Sequence, residues 1–255
     1  MPELPKEDAA WVGFAKSRPG ARARLVCFHH AGGAASAYQA WLTRLPDDLD
    51  LVAIQLPGRE SRYGEPPFRK VRPLVAELAR ALRPLFDLPV AFFGHSMGAT
   101  LAFELAHALR EARGPQPFHL AVSGRGAPHL PRRGAVVSEL SDPGLVGYLR
   151  TLGGLPVEVE SEPDLLELVL RVVRTDYALV DDFVLEPRAP LTCPISAFYG
   201  DADPIVDAAE ARAWEPYTTS RFAVRGFGGD HFFIAQSRDD VIGSLVSEVR
   251  ASLER

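Results

Sequence analysis

The chain has 255 residues, of which 47% are hydrophobic and 24% are charged, a composition typical of globular proteins and unlike disordered or fibrous chains. The 28 lysine and arginine residues and 33 acidic residues give a formal net charge of −5, which offers no chain-wide attraction to nucleic acid or anionic membranes. The length suits one large domain or two small ones.

The N-terminal segment and the cysteines favour a cytoplasmic protein. The first eight residues carry acids and prolines where a secretory signal needs a basic end and an apolar stretch. No apolar run approaches the ~18 residues that a membrane-spanning helix requires. Cys27 and Cys193 lie in separate apolar runs, which is typical of reduced core thiols. We therefore expect neither a membrane nor a nucleic acid partner.

Short apolar segments that alternate with helical patterns predict an α/β fold. The segments are nearly continuous in apolar residues, as in parallel strands covered on both faces. They span residues 24–28, 51–56, 90–93, 119–122 and 195–199. Between them, residues 71–86 have the spacing of an amphipathic surface helix, and residues 99–109 have that of a buried one.

Residues 136–183 show no strand pattern. Their apolar residues exceed what one helix face can bury, as in the run Leu165, Leu166, Leu168, Val169 and Leu170, so we expect a second surface to cover them. Two interpretations stay open on spacing alone: additional core helices, or a mobile helical lid over a hydrophobic site.

The segment Gly94-His95-Ser96-Met97-Gly98 carries the strongest chemical signal, because it lies between a predicted strand and a predicted buried helix. A G-x-S-x-G turn in this context projects a strained serine out of the sheet as a nucleophile. The small glycines permit the sharp reversal of the chain. The sequence therefore predicts that Ser96 is the nucleophile of a serine hydrolase.

A serine nucleophile needs a base that an acid holds in place, and in this fold the order along the chain is serine, acid, histidine. Among the seven histidines only His231 comes late enough to be the base. The acid is expected after the strand at residues 195–199, where Asp201 and Asp203 compete. Asp203 has a second interpretation as a helix N-cap, with Pro204 at the first helical position.

The tetrahedral intermediate requires two backbone N–H donors, one of them from the residue after the nucleophile, which is Met97. The other is expected from the glycine-rich loop at residues 30–34, which follows an early strand. A metal pair at His29 and His30 is disfavoured, because adjacent residues on a strand point to opposite faces and no third ligand is suitably spaced.

Six segments together make the chain resemble the type II thioesterases, stand-alone α/β-hydrolases that serve polyketide and nonribosomal peptide synthases. Each is weak alone, but six in family order, spread over nearly the whole chain, are specific. They are CFHHAGG at residues 27–33, QLPGR at 55–59, GHSMGA at 94–99, SGRGAP at 123–128, LRTLGG at 149–154 and DHFF at 230–233. One departure is His29, where the family has proline.

The resemblance implies a single α/β-hydrolase domain over residues 1–255, with a mostly parallel central sheet, helices on both faces and a helical lid at about residues 136–183. It selects Asp203 as the acid through the family's G-x-x-D-P turn. It also assigns the oxyanion donors to the N–H groups of Ala31 and Met97, beside the Ser96 and His231 predicted above.

The activity implied by the resemblance is hydrolysis of acyl thioesters on the phosphopantetheine arm of an acyl or peptidyl carrier protein, with no metal and no organic cofactor. We expect a monomer. A general carboxylesterase acting on small free substrates is the alternative that the triad alone permits. A binding module that has lost its chemistry is disfavoured by the simultaneous presence of serine, acid, base and oxyanion loop.

Carrier proteins of this kind are usually acidic, so a basic rim beside the site would assist docking. Arg125, Arg132 and Arg133 follow the predicted strand at residues 119–122 and are the candidates for such a rim. Exposed arginines are also common on ordinary solvated surfaces.

Overall fold

A computed structural model of the chain describes residue 2, residues 4–131 and residues 134–254. In these residues seven strands form one sheet in the order β1-β3-β2-β4-β5-β6-β7. The strands are β1 (Val12–Lys16), β2 (Ala23–Phe28), β3 (Leu49–Ile54), β4 (Val90–His95), β5 (His119–Ser123), β6 (Ile195–Gly200) and β7 (Phe222–Phe227).

The sheet confirms the predicted α/β class. Strands β2 to β7 run parallel to one another, and β1 is the one of these seven strands that pairs antiparallel, on β3 at the edge of the sheet. The five predicted segments correspond to β2 through β6. Strand β1 was not predicted, because this half-exposed edge strand contains Gly13 and Lys16 and lacks a continuous apolar run.

Helices cover both faces of the sheet. They are α1 (Lys6–Ala9), α2 (Val71–Ala81), α3 (Met97–Glu111), α4 (Asp142–Thr151), α5 (Val157–Glu160), α6 (Pro163–Asp181), α7 (Ala208–Arg212), α8 (Phe233–Gln236) and α9 (Arg238–Leu253). The helix expected over residues 71–86 ends at Ala81 and continues as a 3₁₀ turn, Arg83–Asp87. Pro84 explains the break, because its ring excludes the carbonyl of a preceding helical turn.

Alternating side chains of the central strands pack into two separate hydrophobic cores, one on each face of the sheet. Val26 and Phe28 of β2 pack with α2 and α3 on one face, whereas Leu25 and Cys27 pack with α9 on the other. Because β2 and β4 to β7 are parallel, their carboxyl ends share one edge of the sheet. The segments that follow these strands therefore lie near one another, as ligand-binding segments do in open α/β sheets.

Residues 136–183, called the insertion below, contain α4, α5 and α6 and enclose a third, smaller core. Its buried members include Leu145, Leu149, Leu170, Val173 and Tyr177. Coverage of the second apolar face, which the sequence led us to expect, is incomplete among the described residues.

Three large apolar side chains of the insertion stay in contact with solvent. Leu165 and Leu168 of α6 remain 42% and 38% exposed, and Val157 of α5 remains 72% exposed. In the described part of the chain no helix combines the length and the apolar character needed to cross a membrane.

Buried His119 makes the stability of the fold depend on pH. Its ring lies in β5 with Nδ1 2.9 Å from Ser252 Oγ and no partner at Nε2, and burial lowers its pKa to about 4. In the unfolded chain an ordinary histidine has a pKa near ~6.5. Between these two values the unfolded chain takes up a proton that the folded protein excludes, so the free energy of unfolding falls as the pH falls.

We expect His119→Gln to flatten this dependence by up to about 1.4 kcal/mol per pH unit between pH ~6.5 and ~4, even if the variant is less stable at neutral pH. Urea unfolding of both proteins at several pH values in this range measures the two slopes. Parallel curves for the variant and the wild type would show that His119 is protonated in the folded protein.

Candidate active site

Ser96 stands in a strained turn between β4 and α3. Its φ is 55°, in the left-handed region that serine rarely adopts, and its N–H donates to the carbonyl of Ser123 at 2.7 Å. A Cβ on Gly94 would lie 2.1 Å from the carbonyl oxygen of Gly98, and one on Gly98 would lie 2.1 Å from that of Phe28. Only glycine fits at either position.

His231 connects the serine to a buried carboxylate. Its Nε2 is 3.0 Å from Ser96 Oγ, and its Nδ1 is 2.8 Å from Asp203 Oδ2. The side chains of His231 and Asp203 are 2% and 0% exposed. The second oxygen of Asp203 accepts the N–H groups of Ile205 and Val206, which fixes the carboxylate.

The structure separates the two aspartates between which the residue pattern could not choose. Asp203 faces His231, whereas Asp201 is exposed and accepts the Gly229 N–H at 3.0 Å. No helix begins at Pro204 either. The next helix, α7, is capped by Asp207 instead, so the N-cap interpretation of Asp203 is wrong.

Two backbone N–H groups beside Ser96 are available to a ligand. Met97 is the first residue of α3, where the N–H has no partner within the helix. Among the described residues no acceptor takes the N–H of Ala31. Ala31, Ser96 and Met97 line the same cavity, so the predicted oxyanion donors and the predicted nucleophile are together.

Two other histidines surround His231 and are held neutral. Burial, followed by the proximity of His231, lowers the pKa of His95 well below its ordinary value and that of His30 to about 4. His95 Nδ1 is 2.9 Å from Ser123 Oγ, which orients its ring. Of the three histidines, His231 alone contacts both Ser96 and Asp203. Among the described side chains, no three metal-ligating residues are grouped together.

A cavity of about 260 Å³ opens beside Ser96 and is more polar than the sequence suggested. Tyr148 and Tyr177 of the insertion line it with their hydroxyl groups 3.5 Å apart, and no motif pointed to either residue. Arg125 also lines it, and burial lowers the pKa of its guanidinium. Arg125 is half-buried at the wall of the cavity, and its role in docking stays a prediction.

The basic rim predicted beside the site is described only in part. Arg132 and Arg133, the other two candidates for a basic rim, lie outside the described residues.

A second, smaller cleft of about 50 Å³ also reaches Ser96. It is lined by His30 and His231 on one hand and by insertion residues such as Leu149 and Val173 on the other, so the insertion bounds both approaches to the serine.

Comparisons of the sequence and of the fold with known proteins point to one family. A model described as "Thioesterase domain" matches residues 23–252. Thioesterase PikA5 from Streptomyces venezuelae is 36% identical, over 94% of this chain and 85% of its own. Two solved structures are also similar. The RedJ thioesterase of the prodiginine pathway in Streptomyces coelicolor is 41% identical with a TM-score of 0.86, and the match covers 91% of this chain and 93% of RedJ. The type II thioesterase BorB from the borrelidin cluster is 37% identical with a TM-score of 0.84, and the match covers 98% of this chain and 100% of BorB.

Labelling by a fluorophosphonate, which reacts with activated serines, tests the three side chains without any assumed substrate. We expect Ser96→Ala to abolish labelling, and Asp203→Asn to slow it by about 10⁴-fold, because the neutral amide favours the wrong tautomer of His231 and does not stabilise its cationic form. The matched control is Asp201→Asn, which should label like the wild type. The time course is followed by in-gel fluorescence. The assignment of the acid is wrong if the two aspartate variants exchange these results.

Proposed function

This chain belongs to the thioesterase family, and we propose that it hydrolyses acyl thioesters carried on the phosphopantetheine arm of acyl or peptidyl carrier proteins. The observation that carries the proposal is the continuous contact from Asp203 through His231 to Ser96, beside two free N–H groups. This arrangement is suited to acyl transfer, because it supplies a nucleophile, a base and an oxyanion site in one place.

The chemistry follows from the contacts. His231 Nε2 takes the proton of Ser96 Oγ, which attacks the thioester carbonyl, and the carbonyl oxygen becomes an oxyanion bound by the N–H groups of Ala31 and Met97. The intermediate collapses to an acyl-enzyme when the thiol leaves with the proton from His231. Water then repeats the attack at the acyl carbon. Asp203 keeps His231 oriented and stabilises its cationic form.

The dimensions of the cavity favour a short acyl group. A volume of about 260 Å³ lies just below the ~300 to ~1,000 Å³ usual for small-molecule sites. We assign the acyl group to this cavity, because it holds both proposed oxyanion donors and the serine. The insertion forms part of its wall and acts as a lid in this proposal, within a single domain over residues 1–255.

The carrier-protein partner is supported by the relatives. RedJ is named for the prodiginine pathway and BorB for the borrelidin cluster, and BorB is named a type II thioesterase. Similarity over most of each chain supports a place for this protein in such a pathway, where we propose that it edits misprimed or stalled polyketide or nonribosomal peptide synthases. A monomeric state and a cytoplasmic location remain predictions of the sequence.

A general hydrolase of small free thioesters or esters is the alternative that the same triad allows. The first experiment therefore compares two substrates that share one acyl group and differ in the leaving thiol, a propionyl carrier protein and propionyl-N-acetylcysteamine. Intact-protein mass spectrometry follows loss of the acyl mass from the carrier. We expect faster release from the carrier and loss of about 10⁶-fold in kcat with Ser96→Ala. Release only from the small thioester would reject the carrier as the substrate.

The size of the cavity predicts an order of substrates. Acetyl, propionyl and butyryl groups on one carrier protein should be released with higher kcat/KM than decanoyl, because the longer chain exceeds the space beside Ser96. The same mass measurement on a mixture of acylated carriers gives the ratios directly. Equal rates for propionyl and decanoyl would show that the longer chain is accommodated outside this cavity, and would contradict selection of the acyl group by its size.

A further inference from the structure

A buried ion pair joins the insertion to the loop that carries Ala31. Arg59 follows β3, and its two terminal nitrogens contact the two carboxylate oxygens of Asp176 in α6 at 2.5 and 2.7 Å. The side chains are 6% and 1% exposed. A bidentate pair of this kind is directional, because the planar guanidinium fits the carboxylate in one orientation. It is not one of the groups that the proposed reaction uses.

Both partners of this pair also bind the backbone of the oxyanion loop. Asp176 Oδ2 accepts the N–H of Gly32 at 2.8 Å, and Arg59 Nη1 donates to the carbonyl of Gly33 at 3.1 Å. The N–H of Gly33 in turn donates to the carbonyl of His30 at 3.0 Å. That carbonyl belongs to the same planar peptide unit as the Ala31 N–H, so fixing one end of the unit fixes the direction of the other.

Steric contact holds the loop against α6 as well. Gly32 has a φ of +77°, and a Cβ at this position would lie 2.5 Å from Val173 Cγ2. The loop backbone thus touches α6 within one helical turn of Asp176. A displacement of α6 would carry the carboxylate away from both Arg59 and the Gly32 N–H.

We propose that Arg59 and Asp176 are positioning residues that aim the Ala31 N–H at the oxyanion, so that the position of α6 controls the completeness of the oxyanion site. This inference rests on the proposed acyl transfer. Stabilisation of a developing oxyanion depends on donors already fixed at hydrogen-bond distance, and small misplacements cost large factors in rate. The ion pair supplies that fixation from the insertion, outside the sheet that holds Ser96.

The test uses Asp176→Asn and Arg59→Lys. The asparagine keeps the shape and one acceptor for the Gly32 N–H, and the lysine keeps the charge, so either variant decides the question if the other fails to fold. We expect kcat on a propionyl thioester to fall by about 10- to 100-fold in each, below the ~10²- to ~10³-fold cost of deleting an oxyanion donor. KM should be nearly unchanged, because the acyl cavity is intact.

A second buried pair provides the matched control. Arg24 and Asp50, at the opposite end of the sheet from Ser96, are each 1% exposed and 3.2 Å apart. Asp50→Asn also breaks a buried ion pair and should lower the melting temperature, yet it should leave kcat at the wild-type value. Loss of kcat that follows the melting temperature in all three variants would reduce the role of Asp176 to stability and would overturn the inference.

Two inhibitors separate positioning from general damage to the site. S-(Trifluoroacetonyl)-pantetheine is a trifluoromethyl ketone whose carbonyl carbon bonds to Ser96 Oγ, so that the carbonyl oxygen becomes an oxyanion, whereas S-(3,3,3-trifluoropropyl)-pantetheine, the matching thioether without the carbonyl, binds without forming one. In Asp176→Asn the affinity for the ketone should fall by the same factor as kcat, and the affinity for the thioether should not change. Equal losses for both inhibitors, or no loss for either, would contradict the positioning role.

The pH profile tests the remaining explanation, which is that an unpaired Arg59 charge disturbs His231. Positioning predicts a lower kcat at every pH with the same midpoint, whereas a charge effect predicts a shifted midpoint and recovery of kcat at another pH. A shifted midpoint with recovery would overturn the inference. Wild-type kcat in Asp176→Asn would also overturn it, while Ser96-dependent hydrolysis would still support the proposed function.

Discussion

The close approach of two backbone segments sets the geometry of the site. The helix that begins at Met97 packs so tightly against the end of β2 that a Cβ on Gly98 would lie 2.1 Å from the Phe28 oxygen and 2.8 Å from the His29 oxygen. The nucleophile turn and the start of the oxyanion loop are therefore one packed unit. Because backbone lies against backbone, the spacing between the Ser96 turn and the residues at the end of β2 does not depend on flexible side chains.

The local part of this arrangement could be predicted from the sequence. A strand, two glycines around a serine and a buried helix occur within about twenty residues, so local chemistry determines the turn. The choice of Asp203 over Asp201, in contrast, could not be made from the local sequence. It depends on how the segments after β6 and β7 meet, and two aspartates two positions apart have the same local pattern. Only the resemblance to a family, and then the structure, could separate them.

The insertion was the least predictable part because its contacts with the sheet and with the loops around Ser96 are long-range. Periodicity indicated helices, but it gave no direction for their docking, and this direction determines that Tyr148 and Tyr177 line the cavity. The same limit applies to Arg125, which follows a buried strand and was expected on the surface. It lines the cavity together with Tyr148 and Tyr177 of the insertion, and burial lowers the pKa of its guanidinium.

The insertion thus meets the sheet in two ways, and the two have different consequences. Through Tyr148 and Tyr177 it shapes the space for the acyl group. Through Asp176 it reaches the loop of Ala31. Because Asp176 and Tyr177 both lie on α6, a shift of that helix that enlarges the cavity also strains the Asp176 contact with the Gly32 N–H. In the reaction that we propose, acyl selectivity and the rate of acyl transfer are therefore coupled, and a shift of the insertion that admits a longer chain carries a cost at the proposed oxyanion site.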